Sequence, residues 1–260
     1  MSFIRGFLDY LDGLTARELV LKAVYLIGVL SAAAILLSSV LMRKILSDIP
    51  SIDKLDEYTP SLTTYVYDIN NQVIAEFSVE KRALLPLSKI PVDMQNAVIA
   101  MEDRNFFRHW GISPRGIMRA LLRNILRHRR AAGGSTITQQ LSRGIFLKPE
   151  KAYTRKIKEI VLALQIERNF SKPEILALYL NQIYFGNGVY GVQSASKLYF
   201  GKDVSEMTLG ECAMLTGLIP SPERYSPFNS LEKAKQRRGL VLDRMKELNF
   251  ITAREAEAAA

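Results

Sequence analysis

A continuous uncharged stretch from Ala23 to Met42 restricts the fold of this chain more than any other segment. Its length matches the roughly 20 residues that an α-helix needs to cross the hydrocarbon core of a bilayer. A cleaved signal peptide is the alternative, but its apolar region usually has only about 7–15 residues. We therefore predict an uncleaved membrane anchor. Lysine and arginine flank both ends equally, so the positive-inside rule leaves the orientation of the anchor open.

The net charge of +9 and the isoelectric point of about 9.6 predict an anionic partner. Nucleic acid, a phosphorylated substrate and an anionic membrane all fit that charge. Cys212 is the only cysteine in the chain, which excludes an internal disulfide and a multi-cysteine metal site. The two histidines, His109 and His128, make a histidine-built metal site an unfavourable interpretation.

The residues after the apolar stretch are polar and contain Pro50 and Pro60, which is typical of a linker. Tyr65 to Phe77 has the pattern of a β-hairpin with its turn at Asn70–Asn71. The rest of the chain has mostly helical patterns, so we predict a mainly α fold. The predicted regions are an N-terminal tail at 1–22, a transmembrane helix at 23–42, a linker at 43–62 and a globular domain at 63–260.

The segment from Met101 to Ser113 concentrates groups that could carry acid–base chemistry. Glu102 and Asp103 end an apolar run, and aromatic, arginine and histidine side chains follow at once. A carboxylate walled by aromatic rings is a setting in which its pKa can rise. The alternative is an acidic helix end that is simply covered by aromatic packing, and the segment alone leaves both interpretations open.

A basic stretch follows, in which Arg119, Arg123 and Arg127 recur every four residues beside a broad apolar face. This pattern predicts a helix lying in the membrane interface, with its arginines at the level of the lipid headgroups. A basic surface helix packed on the core has the same pattern. The nearby apolar anchor favours the membrane interpretation.

Two further segments carry polar groups at helical spacing. Gly133–Gly134 precede hydroxyl and amide side chains that begin a helix, which is the pattern of an anion site and equally of ordinary capping. In the long helix predicted over 151–170, Arg155 and Lys156 lie one turn before Glu159. Ion pairing on a solvated face is the default interpretation of this trio. The apolar residues around it place Glu159 near a buried edge.

Five segments together resemble one family, the peptidoglycan glycosyltransferases, which form the transglycosylase module of class A penicillin-binding proteins and of monofunctional glycan polymerases. The segments are EDRNFFRHWGIS, GGSTITQQLSRG, RKIKE, ILALYLNQIYFGNGVYGV and LTGLIPSPERYSP. The resemblance covers roughly Tyr65 to the C-terminus, and agreement of five motifs makes it specific. The chain departs from the family pattern at Arg143–Gly144, where lysine and asparagine are usual, and at Ala177, where glutamate is usual.

The resemblance implies a lysozyme-like helical glycosyltransferase domain that polymerises lipid II by inverting glycosyl transfer and releases undecaprenyl diphosphate. It implies Glu102 as the general base and Glu159 as a second catalytic carboxylate. It also implies contacts between substrate and a wider set of side chains. These are Asp103, Phe106, His109, Ser135, Thr136, Gln139, Gln140, Arg143, Arg155 and Lys156, of which the last three would meet diphosphates.

The same resemblance implies a single-pass protein of the bacterial plasma membrane, with residues 1–22 in the cytoplasm and the catalytic domain outside. Its partners would be lipid II, the growing glycan chain, the membrane and other cell-wall synthesis proteins, with no role for nucleic acid. No cofactor is obligatory, although Glu159 could hold a divalent cation such as Mg or Mn. The alternatives are a lysozyme-like hydrolase of finished glycan and a non-catalytic membrane-tethered scaffold for cell-wall assembly.

Overall fold

The computed structural model of the chain describes residues 15–50, 64–70, 73–77, 85–114, 116, 118, 134–147 and 152–260. It divides into two compact units, residues 1–49 and residues 50–260. The predicted basic helix with its arginine stripe falls almost wholly in 119–133, outside the described residues.

The first unit contains one long helix, α1 (Ala16–Ser47). Thr15 caps its start, because its hydroxyl accepts a hydrogen bond from the backbone N–H of Glu18. The stretch from Val20 to Ser47 contains 18 consecutive residues with a mean hydropathy of 2.3, and the helix is long and apolar enough to cross a membrane. The helix includes the whole predicted span and continues into the first residues of the predicted linker.

The second unit is mainly helical in its described part, as the sequence predicts. Its helices are α2 (Val92–Glu102), α3 (Ile137–Phe146), α4 (Ala152–Asn169), α5 (Lys172–Gln182), α6 (Val192–Phe200), α7 (Leu209–Leu218), α8 (Pro222–Tyr225), α9 (Leu231–Glu247) and α10 (Ala253–Ala258). Short 3-10 turns occupy Leu87–Lys89, Phe106–Arg108 and Val204–Glu206.

Two small antiparallel hairpins accompany these helices. The predicted hairpin is confirmed as β1 (Thr64–Tyr67) and β2 (Val73–Phe77). A second hairpin, β3 (Tyr184–Gly186) with β4 (Val189–Tyr190), is absent from the sequence prediction. Asn187 and Gly188 form its turn with φ of 52° and 73°. An Asn-Gly pair between apolar residues is a strong hairpin signal that the sequence analysis missed.

Two apolar clusters fix the position of helix α2. On one side, Met94 and Val98 pack in a core that also contains Phe106 from the following turn and Leu141 from α3. On the other side, Ala97 and Ala100 pack in a cluster shared with α7, α9 and α10. Because both sides of α2 are buried, its last residue is held at a defined place in the unit.

Candidate active site

Glu102 is the last residue of α2, where the chain leaves the buried core. The next residue, Asp103, has φ of −156° and ψ of 75°, which ends the helix. The side chain of Glu102 is half-buried, and its Oε2 accepts a hydrogen bond of 2.8 Å from Nε2 of Gln140 on α3. The structure therefore joins the first and second predicted motifs directly at the predicted base.

The environment of Glu102 favours its neutral form. Burial is the largest influence and raises the pKa of this carboxyl above its ordinary value. The hydrogen bond from Gln140 and the charges of Arg237 and Arg143 act in the opposite direction, while Asp103 adds to the rise. A carboxylate with a raised pKa holds a proton more tightly near neutral pH, which suits a group that must accept one during a reaction.

Glu102 faces a cleft of about 480 Å³. Among the described residues, three arginines line this cleft together with two carboxylates, so a bound anion would lie near several cations. The sequence analysis identified none of the three as a site residue: Arg104 lies within the first motif, and Arg237 and Arg244 lie on α9. The lining residues are Ala100, Met101, Glu102, Asp103, Arg104, Asn105, Ser113, Gly116, Gly134, Ser135, Thr136, Arg237 and Arg244.

Arg237 is held in place by neighbours from α7 and α8. Its Nε donates to the carbonyl of Gly217 at 3.2 Å, and its guanidinium lies 5.0 Å from the ring centre of Tyr225. A Cβ at Gly217 would lie 3.0 Å from Cβ of Arg237, so the glycine allows the two helices to approach closely. Nothing in the spacing of the charged helix α9 distinguishes this arginine from its neighbours.

Asp103 and His109 contact each other rather than standing apart in the cleft. His109 Nε2 lies 2.8 Å from Asp103 Oδ2, and His109 Nδ1 accepts from the backbone N–H of Gly111 at 3.1 Å. Because Nδ1 accepts, Nε2 carries the proton and donates to the carboxylate. The same carboxylate oxygen accepts from the N–H of Ile137 at 3.2 Å, which ties the first motif to the start of α3.

The start of α3 is built as a capping box. The Thr136 hydroxyl accepts from the N–H of Gln139 at 3.2 Å, and the amide oxygen of Gln139 accepts from the N–H of Thr136 at 3.2 Å. The hydroxyl also donates to the carbonyl of Gly111 at 2.6 Å. Thr136 and Gln139 are buried, with exposed fractions of 2% and 0%. The capping interpretation of these residues is therefore correct, and direct contact with substrate stays a prediction.

Glu159 on α4 lies in a different environment from Glu102. It is 2% exposed, and its two oxygens face cations of its own helix. Lys156 Nζ lies 2.9 Å from Oε2, and Arg155 Nε lies 3.5 Å from Oε1. Lys156 Nζ also reaches the Ser135 hydroxyl at 2.8 Å and the Gln139 amide oxygen at 3.3 Å. Through Ser135, this buried network adjoins the wall of the cleft.

The donor groups around Glu159 do not fit a divalent cation. Both of its oxygens already face a positive side chain, which would repel a metal ion. Among the described residues, no group of three or more histidine, cysteine, aspartate or glutamate side chains could hold a metal.

The remaining predicted residues occupy other positions. Phe106 is fully buried in the core. Gln140, Arg143 and Tyr179 line a second cavity of about 240 Å³. Gln140 lines this second cavity and donates a hydrogen bond to Glu102, which lines the cleft, so the two cavities lie on either side of this pair. Of the described residues, the cleft lining includes neither Arg155 nor Glu159.

Comparison with known proteins agrees with these motifs. The chain is 45% identical to penicillin-binding protein 1A of Aquifex aeolicus over 220 residues, which is 85% of this chain and 30% of that protein. It is 40% identical to penicillin-binding protein 1A of Neisseria gonorrhoeae over 211 residues, which is 81% of this chain and 26% of that protein. The chain thus spans less than a third of the length of either relative.

A solved structure of penicillin-binding protein 1A from Haemophilus influenzae has a TM-score of 0.46 and 25% sequence identity, covering 78% of this chain and 20% of that one. The transglycosylase family model matches residues 70–246. The family match and the two relatives confirm the predicted transglycosylase module and its enzyme class, peptidoglycan glycosyltransferase. Because the family model covers more than half of the residues, the chain belongs to the transglycosylase family.

Proposed function

We propose that residues 63–260 polymerise lipid II into glycan strands by glycosyl transfer with inversion at the anomeric carbon. The observation that carries this proposal is the setting of Glu102: a half-buried carboxylate with a raised pKa that faces a cleft lined by arginines. In this reaction Glu102 takes the proton from the attacking sugar hydroxyl. The hydroxyl oxygen forms the new bond to the anomeric carbon as the bond to the diphosphate breaks.

The charge of the departing diphosphate requires cations that are already in place. Arg104, Arg237 and Arg244 line the cleft with Glu102, and guanidinium groups match phosphate oxygens through paired hydrogen bonds. Fixed cations stabilise the developing negative charge without reorganising during the step. Arg143 and Arg155 extend the positive field beyond the cleft. Glu159 contributes by holding Arg155 and Lys156 in position rather than by binding a metal.

A lipid-linked substrate also accounts for the apolar helix α1. A membrane anchor confines the domain to the surface where the undecaprenyl chain of the substrate is embedded. The proposal places this protein in the bacterial plasma membrane as a single-pass protein, with residues 1–22 in the cytoplasm and the catalytic domain outside. Its partners are then lipid II, the growing glycan chain and other cell-wall synthesis proteins.

The test uses the full chain in detergent micelles or liposomes with labelled lipid II, and the products are separated by length. Formation of long glycan supports the proposal. Shortening of added finished glycan without polymer formation would instead identify a hydrolase, and binding without either reaction would identify a scaffold.

The variant Glu102→Gln keeps the size of the side chain but removes its ability to accept a proton. We expect its rate of polymerisation to fall by about 100- to 10,000-fold, the usual contribution of general base catalysis. Glu232→Gln is the matched control, because it makes the same charge change at an exposed position on α9. Full activity in the Glu102 variant would remove the catalytic assignment.

A further inference from the structure

Tyr179 on α5 lies behind the residue that contacts the proposed base. It is 2% exposed, and its hydroxyl donates to Oε1 of Gln140 at 3.1 Å. The opposite end of the same amide donates from Nε2 to Glu102 at 2.8 Å. Three side chains from α5, α3 and α2 therefore form one continuous chain of hydrogen bonds that ends at the cleft.

The direction of these hydrogen bonds depends on Tyr179. An ionised carboxylate only accepts hydrogen bonds, so Gln140 must turn its amino group toward Glu102. The amide oxygen then faces Tyr179, which must donate. If the amide turned by half a rotation, its oxygen would face Glu102, and that arrangement favours a carboxyl that carries a proton.

The Tyr179 hydroxyl retains a proton that it can donate in a hydrogen bond. Burial, and next the negative charge of Glu102, raises the pKa of the Tyr179 hydroxyl well above its ordinary value. The hydroxyl therefore keeps its proton across the pH range in which an enzyme works. If the amide turned, its amino group could donate to the hydroxyl oxygen, but the buried hydroxyl proton would lose its acceptor. The hydroxyl therefore favours the orientation with the amide oxygen toward it at every such pH.

Other charged groups also act on Glu102 or line its cleft, and they come from several elements of the fold. Arg237 lies on α9, Arg143 on α3 next to the amide, and Asp103 directly after Glu102 in the chain. Arg104 and Arg244 line the same cleft. These charges are the same whichever way the amide points. The orientation of Gln140 is thus a separate influence that the arginines do not replace.

We propose that Tyr179 is a positioning residue for the glycosyl transfer, whose hydroxyl orients the Gln140 amide so that the amide keeps Glu102 in its proton-accepting form. This inference rests on the proposed role of Glu102 as the base. It assigns Tyr179 no contact with substrate. The second cavity, which Tyr179 and Gln140 both line, leaves room for the amide to turn when the hydroxyl is removed.

The experiment removes only the hydroxyl, in Tyr179→Phe. The ionisation of Glu102 is followed by carbon-13 NMR of labelled glutamate carboxyls, with the Glu102 signal assigned by its loss in Glu102→Gln. We expect Glu102 to titrate at higher pH than in the unchanged protein. On the acid side of the pH profile, kcat/KM should fall about 2- to 10-fold, the value of one neutral hydrogen bond, and recover at higher pH.

Tyr199→Phe is the matched control. The Tyr199 hydroxyl also makes a hydrogen bond within the fold, to the carbonyl of Phe185 at 2.8 Å, but it makes no contact with Gln140. We expect this variant to leave the titration of Glu102 unchanged. An equal loss of activity at every pH in Tyr179→Phe, with an unmoved titration, would show that Tyr179 only packs and would overturn the proposal.

Gln140→Leu tests the amide directly, and an unmoved titration of Glu102 in this variant would also overturn the proposal, whether or not Tyr179→Phe folds. It removes the amide and should raise the pKa of Glu102, as Tyr179→Phe does. Adding Tyr179→Phe to Gln140→Leu should then cause no further shift, and an additional shift would contradict the relay. If the titration moves as expected but Glu102→Gln still polymerises, the relay stands and the base assignment fails. If Glu102→Gln is inactive and the titration does not move, the relay alone fails.

Discussion

The two carboxylates that the motifs single out, Glu102 and Glu159, lie in opposite chemical settings. Glu102 is half-buried, contacts one neutral amide and faces a cleft. Glu159 is almost completely buried and is paired with Lys156 and Arg155 of its own helix. A carboxylate with a neutral partner can exchange a proton, whereas the ion pairs of Glu159 hold the two cations beside it. From this difference we propose proton transfer for Glu102 and the placement of cations for Glu159.

Gly111 belongs to the segment after Glu102 and lies against α4, the helix that carries Glu159. Its substitution should therefore have the largest effect on stability. It has φ of +82°, and an added Cβ would lie 2.8 Å from the carbonyl oxygen of Ala163 on α4. We expect Gly111→Ala to lower the free energy of unfolding by about 2–4 kcal/mol, from backbone strain and overpacking together. Chemical denaturation measures this loss.

Gly201→Ala separates those two causes. Gly201 has φ of +73°, but no atom lies within 4 Å of the position of an added Cβ. Only the cost of the left-handed backbone remains there, which is about 1–2 kcal/mol. Equal losses of unfolding free energy in Gly111→Ala and Gly201→Ala would show that close contact between Gly111 and α4 does not contribute to stability.

Glu159→Gln tests whether the ion pairs of Glu159 with Lys156 and Arg155 stabilise the fold. The change leaves two cations beside a neutral amide, and we expect the free energy of unfolding to fall by about 1–3 kcal/mol. This is less than a fully buried pair would lose, because the side chains of Lys156 and Arg155 are 39% and 35% exposed. Glu102→Gln should lose activity with little loss of stability.

The pair of Glu211 and Lys202 is the matched control for Glu159. Its atoms lie 2.7 Å apart, but both side chains are at least a quarter exposed. Glu211→Gln should therefore cost less than Glu159→Gln, about 1 kcal/mol at most for the ion pair. Unchanged stability in Glu159→Gln would contradict a role in holding the cations.

The pH dependence of polymerisation sharpens the assignment of the base. Glu102 accepts a proton only when it is ionised, so activity should fall as pH decreases through its raised pKa. We expect the acid limb of kcat/KM above the ordinary glutamate value of about 4.3. The limb should be missing from the residual activity of Glu102→Gln. An acid limb at the ordinary glutamate value would mean that burial does not raise the pKa of the group that accepts the proton.

Gly144→Ala should have the smallest effect and should disturb neither carboxylate. Gly144 lies within α3, and an added Cβ would meet only Gln182 Cγ at 3.9 Å. We expect a gain in unfolding free energy of about 0.5–1 kcal/mol from helix propensity. Gly239→Ala on α9, where a Cβ would meet nothing within 4 Å, should give a similar gain. A shift in the Glu102 titration would contradict this expectation.

Local patterns in the sequence predicted the long apolar helix, the first hairpin, the helix over 151–170 and the chemical type of the site residues that the motifs contain. These features depend on residues close together in the chain, such as the capping of α3 by Thr136 and the spacing of Glu159 from Lys156. Single motifs carried alternatives, and agreement of five motifs resolved them in favour of one family. Periodicity and spacing were sufficient because helices and hairpins repeat at fixed intervals.

Folding alone decided which of these groups act together. Arg237 reaches the cleft from α9, 135 positions along the numbering from Glu102, and no local pattern marks it. The hydrogen bonds from Tyr179 to Gln140 and from Gln140 to Glu102 join three helices that the sequence keeps apart. Burial, which raises the pKa of Glu102, depends on every element packed around it. Such distances and local dielectric surroundings exist only once the chain has packed, because no single segment contains them.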